Sequence, residues 1–315
     1  MATSSLATIW ILYGLAVVIM VIRLVLGRLC KQKFDVGDRL TLAAIVFSIA
    51  RIAFTHVLVI WGTNNISDEY RDTHHFSKLD IYHREMGSKF TLVARSLYIL
   101  LLWTQKFVLL EFYKKLVKDM PWAKPTLICY LVTFIITFCL SIIFTFVECH
   151  PFSLYWVVIP DPGKCNEAII QLFVVGILNM STDLLLIALP IPILLQVHLS
   201  IIKKVQLGFL FCVGFVIVII TAVRIPRTLK NPGSETFRIT WTTGEFLAAT
   251  FVANAPTLYS FRKRFERRKK KPFRTLASRP RGEPVQIQDL DSTAKSRTQG
   301  GAGETLVGSV DTEHT

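Results

Sequence analysis

The stretch "NMSTDLLLIALPIPILLQ", residues 179–196, decides what kind of fold this chain has. It is apolar enough to enter hydrocarbon, yet it carries a carboxylate, Asp183, and two prolines, Pro190 and Pro192. Runs like it recur along the sequence. Of 315 residues, 52% are hydrophobic, which leaves too few polar side chains to surface a soluble domain. The formal charge of +14 is concentrated in a few segments, so it bears on membrane orientation rather than on nucleic acid. The first apolar run begins at Leu6 with no basic segment ahead of it, and it reads as a span rather than a cleavable signal.

Seven runs are long enough to cross roughly 30 Å of hydrocarbon at about 1.5 Å per residue. They are Leu6–Leu26, Leu40–Trp61, Phe90–Phe112, Thr126–Val147, Ala168–Leu189 (with a continuation toward Leu195), Val205–Val223 and Ile239–Ser260. The expected fold class is an all-α membrane bundle of seven transmembrane helices. Nineteen basic residues fall on one side of it and seven on the other. The positive-inside rule then puts the N-terminus outside and the C-terminus in the cytosol. The membrane domain is expected over residues 1–262. Residues 263–315 form a basic juxtamembrane segment and a disordered cytosolic tail, because the tail is polar and poor in aromatics. Arg262, Lys263, Arg264, Arg267, Arg268, Lys269, Lys270 and Lys271 are placed to meet anionic inner-leaflet lipid.

With that topology, Asn65-Ile66-Ser67 becomes a glycosylation sequon in the first outer loop. A second sequon at Asn179 lies inside a span and is expected to be silent. Cys149 and Cys165 are the two cysteines expected outside, where a disulfide persists. They would close a loop of about 15 residues, contributing on the order of 3 kcal/mol. Cys30, Cys129, Cys139 and Cys212 read as reduced thiols.

Charged groups at bilayer depth are expensive, at roughly 3 kcal/mol each, so they normally face the bundle and a partner. Lys106 lies about 12 Å above the cytosolic end of the third span, and Asp183 about 10 Å above a similar level on the fifth. The two are expected to pair, or to share a polar network with Asn179, as a static bridge or as a moving switch. Arg224 and Glu245 form a second expected pair in the outer half. Arg51 and Arg95 fall at the same depth. They line an outward pocket for an anionic or polar ligand, or else snorkel to lipid phosphates. Asp68, Asp72, His74, His75, Asp80 and His83 in the first outer loop lack a spaced metal signature, and no metal site is expected. No nucleotide loop or nucleophile elbow is present, so no catalytic residue is assigned and an enzyme is not the favoured reading. The seventh span has no lysine between Ile239 and Arg262, so no retinal or other cofactor is expected.

The run "ECHPFSLYW…GKCNEAIIQLFVVGILNMSTDLLLIALPIPILLQ" resembles the core signature of the fungal rhodopsin-domain family. This family of seven-helix integral membrane proteins includes receptor-like proteins and the satratoxin-cluster membrane protein group. The resemblance rests on Cys149, Pro151, Trp156, Gly163, Cys165, Asn179, Asp183, Pro190 and Pro192. Lys106 with Tyr113-Lys114, Lys203, Lys204, Arg224, Glu245 and Pro256 extend it over about residues 6 to 262. "FDVGDRL" departs from the family's paired acids ahead of the second helix. "NAPTLY", from Asn254, is spaced differently from the helix-seven motif of animal receptors and carries no weight. The resemblance implies a rhodopsin-like, receptor-like protein with an unknown small-molecule ligand sensed from the outer face. A cytosolic signalling protein, such as a G protein, would read the basic loops. The alternative is a membrane accessory of a secondary-metabolite cluster, as a transporter or an integral-membrane cyclase. The plasma membrane is the expected location, with an endomembrane as the alternative.

Overall fold

The computed structural model describes residues 2–31, 34–66, 68–117, 120–163, 167–191, 201–230 and 235–269. Among them are eight α-helices and no strand: α1 (Ala2–Leu29), α2 (Val36–Trp61), α3 (Asp68–Thr73), α4 (Lys78–Leu116), α5 (Ala123–Val147), α6 (Ile169–Ala188), α7 (Ile201–Lys230) and α8 (Glu235–Lys269). Six of the seven apolar runs lie wholly within a helix. The fifth overshoots α6 by one residue at each end. Five helices (α1, α2, α4, α5 and α6) are long and apolar enough to cross a membrane. The chain divides into a unit of residues 1–266 and a unit of residues 267–315. Everything below concerns the first.

The side-chain distribution is that of a bundle without a polar coat. Ile11, Val18 and Ile22 on α1, and Ile128, Ile136 and Ile143 on α5, are exposed large apolar residues. In water such continuous apolar faces are unstable, but against lipid tails they are the normal outer surface. The centre of α4 is different, because it is buried on all sides. Ile99, Leu101, Leu102, Trp103 and Val108 are buried there, and the Trp103 indole donates to Thr137 Oγ1 of α5 at 3.1 Å. A helix that is apolar all round belongs in the interior, and α4 is the post around which the other helices stand.

Local chemistry sets the helix ends. Ser77 Oγ accepts from Asp80 N at 3.1 Å, and Ser77 N donates back to Asp80 Oδ2 at 3.2 Å, a reciprocal cap at the start of α4. Lys114 and Lys115 occupy its last turn, where cations suit the helix dipole. Lys115 also pairs with Asp35 just ahead of α2, and its hydrogen bond holds the Asp35 carboxyl below the ordinary carboxylate value. Ala168, at φ 51, cannot cap α6 with its side chain. Glu148 does so instead, accepting from Ile170 N at 2.8 Å and Gln171 N at 3.1 Å. α6 stops at Ala188, two residues before Pro190, where the missing donor and the ring disfavour continuation. Pro192 and the continuation toward Leu195 lie outside the described residues.

Two close approaches fix α2 against α4. Gly62 ends α2 at φ 76, a conformation that favours glycine, with its N–H on Leu58 O at 3.0 Å. Its carbonyl lies against Gly87 so closely that a Cβ there would collide with it. Beside this junction the 148–163 segment folds back over the helix ends. Asn64 Nδ2 donates to Tyr155 O at 3.1 Å and Val157 O at 3.2 Å, and the Tyr155 hydroxyl donates to Thr145 O at 2.9 Å. Burial pushes that hydroxyl's pKa up.

Candidate functional site

The acids and bases of the bundle interior form a connected system. Lys106 Nζ of α4 pairs with Asp183 Oδ1 of α6, and also donates to the backbone oxygen of Asn179 at 3.2 Å. The Asn179 side chain turns the other way, its Nδ2 donating to Glu245 Oε1 of α8 at 2.8 Å. Thr221 Oγ1 of α7 donates to the same oxygen at 2.7 Å. On the opposite oxygen, Oε2, Tyr98 OH donates at 2.6 Å, and Arg224 Nε lies 3.2 Å away. The Arg224–Glu245 pair is an ion pair whose geometry leaves Nε without a hydrogen bond. Glu245 has no solvent exposure at all. A buried carboxylate persists only with such a set of partners.

Past Arg224 the system opens into a cavity of about 60 Å³. Arg51, Arg95, Arg224, Arg238, Glu235 and Tyr98 contribute to its wall, with Thr55, Thr228 and apolar residues between them. It lies toward the Trp61 end of α2 and the Glu235 end of α8. Arg51 donates from Nε to Ala94 O and from Nη2 to Thr242 Oγ1, both at 3.2 Å, with its guanidinium carbon 4.9 Å from the Tyr98 ring centre. Arg95 pairs with Glu235 Oε1 at 3.0 Å, and Arg238 approaches the same oxygen at 3.5 Å.

The expected residues are thus distributed as follows. Lys106, Asn179 and Asp183 meet. Arg224 and Glu245 meet. Arg51 and Arg95 border the same cavity but have other partners, and both turn inward rather than out to lipid. Asn65 of the sequon faces inward. It is 7% exposed, and its Nδ2 donates to Glu235 Oε1 at 3.2 Å. In this arrangement the nitrogen that a glycan needs is turned into the protein. Cys149 is buried at the foot of the 148–163 segment, and Cys165 lies outside the described residues. Between α2 and the first turns of α4, His74 stacks on Tyr70 and His83 on Trp61, while Asp80 caps α4.

Several members escaped the sequence reading. Glu235 and Arg238 lie ahead of the seventh apolar run and receive no role from the sequence, although their i,i+3 spacing is a signal. Arg23 on α1 lies inside the first apolar run but is not among the expected intramembrane charges. It is buried, donating to Asn254 Oδ1 at 2.9 Å and standing 3.9 Å from Asp38 Oδ1. Asn254, given no weight in the sequence, is fully buried and also donates toward Gln105 Oε1 at 3.4 Å.

A family model described as the fungal rhodopsin domain matches residues 7–264. The chain belongs to that family. The match takes in every helix that contributes to the polar system, from Arg23 to Asn254, and together with the apolar helices it makes this fungal rhodopsin domain protein a multi-pass membrane protein. No curated protein and no solved structure matches the chain.

Proposed function

We propose that this fungal rhodopsin domain protein is receptor-like. A small polar ligand enters the cavity from the outer face, and cytosolic loops report its presence. The observation that carries this reading is the continuity of the polar system. Glu245 touches Arg224 at the cavity and Asn179 beside the Lys106–Asp183 pair, so a ligand that moves Arg224 acts on groups of four helices at once. Coupling of that kind needs differential contacts in two states, and a shared buried carboxylate supplies them.

The topology belongs to the same proposal. α7 and α8 have 30 and 35 residues, enough to add a sixth and a seventh crossing. Charge asymmetry then puts the cavity outside and the basic continuation of α8 in the cytosol. There it would meet anionic lipid and a signalling partner, for which a G protein is the candidate. A Cys149–Cys165 disulfide would hold the outer segment over the helix ends. The plasma membrane is the matching location. The family name suggests retinal, but the residues do not fit that group. α8 offers no amine from Ile239 to Phe261, and the buried Lys106 on α4 is committed to Asp183.

Deletion of the gene in the native host, with transcripts and metabolites measured from the same cultures, tests the reading. Coordinated transcript shifts without accumulation of one intermediate are expected. A single accumulating compound with unchanged transcripts would instead mean that the protein moves or converts that compound.

A further inference from the structure

The cavity wall is built of donors with too few acceptors. Four guanidinium groups, Arg51, Arg95, Arg224 and Arg238, stand against two carboxylates, Glu235 in the wall and Glu245 behind Arg224. Arg95 and Arg238 share Glu235 and Arg224 pairs with Glu245, which leaves Arg51 with no carboxylate in ion-pair range among the described residues. Four polar atoms there have no hydrogen-bond partner among the described residues: Arg51 Nη1, Arg224 Nε, Thr55 Oγ1 and Thr228 Oγ1. All four belong to residues no more than 5% exposed, and all four residues line the cavity.

The threonines are informative because the local alternative is easy. Elsewhere in the bundle, Thr41, Thr91, Thr145 and Thr243 donate to the carbonyl four residues back, at 2.7 to 2.9 Å. Thr55 in α2 and Thr228 in α7, two residues after Pro226, forgo that bond, as does Thr250 of α8 outside the cavity lining. An unpartnered buried donor costs stability, and an unpaired buried guanidinium costs more. One occupant removes both costs, namely a compact group that carries negative charge and several acceptor oxygens. Guanidinium groups match carboxylate, sulfate and phosphate oxygens in this way.

We infer that the cavity binds a small oxyanion, or a small molecule through its oxyanion group, held by Arg51, Arg224, Thr55 and Thr228. Glu235 acts as a resident carboxylate for Arg95 and Arg238 as Glu245 does for Arg224, and Arg51 Nη1 and Arg224 Nε are the guanidinium atoms left without a hydrogen bond for the ligand. The inference rests on the cavity being the ligand site. It concerns binding alone, so it can be tested without any signalling readout.

The test uses the purified full chain in detergent and the double variant Thr55→Val/Thr228→Val. Valine keeps the shape and removes only the unpartnered hydroxyls, so the variant should melt at or above the wild-type temperature without added anion. Sodium chloride is replaced stepwise by sodium acetate or sodium sulfate at fixed ionic strength, and the melting temperature is followed. A saturable rise with acetate or sulfate is expected for the wild type. In the double variant its midpoint should move at least about tenfold higher in concentration, from two lost hydrogen bonds to a charged group. The salt that saturates first assigns a single or a double negative charge to the ligand group. A rise that does not saturate with either salt, or that is the same in both proteins, would overturn the inference and leave the donors to water. If the double variant does not fold, Thr228→Val alone is read in the same way. A double variant that loses anion binding but keeps the wild-type cellular response would count against the receptor reading and not against this one.

Discussion

Asn179 and Glu245 meet across α6 and α8, with the amide nitrogen 2.8 Å from the carboxylate oxygen and both side chains sealed from solvent. Through this contact the cavity and the Lys106–Asp183 pair belong to one network. Replacing Glu245 by Ala leaves Arg224 buried without a counter-charge and strips acceptors from Tyr98, Thr221 and Asn179. A loss of about 3–5 kcal/mol is expected, read as a large fall in melting temperature in detergent. A change of less than about 1 kcal/mol would mean that water or a neighbouring carboxylate replaces Glu245.

The Lys106–Asp183 pair should show the asymmetry of buried ion pairs. Asp183→Asn leaves Lys106 charged and short of an acceptor, and is expected to reduce both the melting temperature and the level of protein in membranes. The double variant Lys106→Met/Asp183→Leu removes both charges and should recover most of that loss. Equal membrane levels of Asp183→Asn and wild type would speak against the pair as a structural element.

Gly87 is predicted to be intolerant of any side chain. A Cβ there meets the Gly62 carbonyl oxygen, which is backbone and cannot swing aside. Gly87→Ala should cost about 1–3 kcal/mol by overpacking. Gly14→Ala, at a position with nothing within 4 Å, serves as the control and should be neutral or slightly stabilising in its helix. Thermal melts of the two variants side by side give the comparison.

Asn65 is predicted to carry no glycan in the folded protein. Endoglycosidase treatment should leave gel mobility unchanged. Asn65→Asp should destabilise, because it sets a second carboxylate against Glu235. A mobility shift lost in Asn65→Gln would show that the chain is modified before this loop closes.

The parts legible in the sequence share a physical basis. Hydrocarbon thickness dictates the length of an apolar run, so six of the seven runs lie inside a helix and the fifth overshoots its helix by one residue at each end, although several helices extend well past their runs. Helical rise converts sequence distance into depth, which placed Lys106 and Asp183 at one level. What depth cannot supply is rotation and partner choice. Arg23 and Asn254 are 231 positions apart, and neither carries a local sign of the other. Depth groups Arg95 with Glu245, yet it pairs with Glu235, which lies in the first turn of α8 and ahead of the seventh apolar run. The Asn65 sequon describes three side chains and is silent about whether they point inward. Thr55 and Thr228 have no sequence signal at all, since their significance is a bond that they do not make.

The central claim is that occupancy of the cavity is what the cell reads. The most direct measurement is transcript profiling of a strain whose native copy carries Thr55→Val/Thr228→Val, beside wild-type and deletion strains, with membrane protein level monitored by immunoblot. The variant should be present at wild-type level and reproduce the transcript shift of the deletion. A variant strain indistinguishable from wild type, while the deletion strain shifts, would contradict the claim and place the function elsewhere in the molecule.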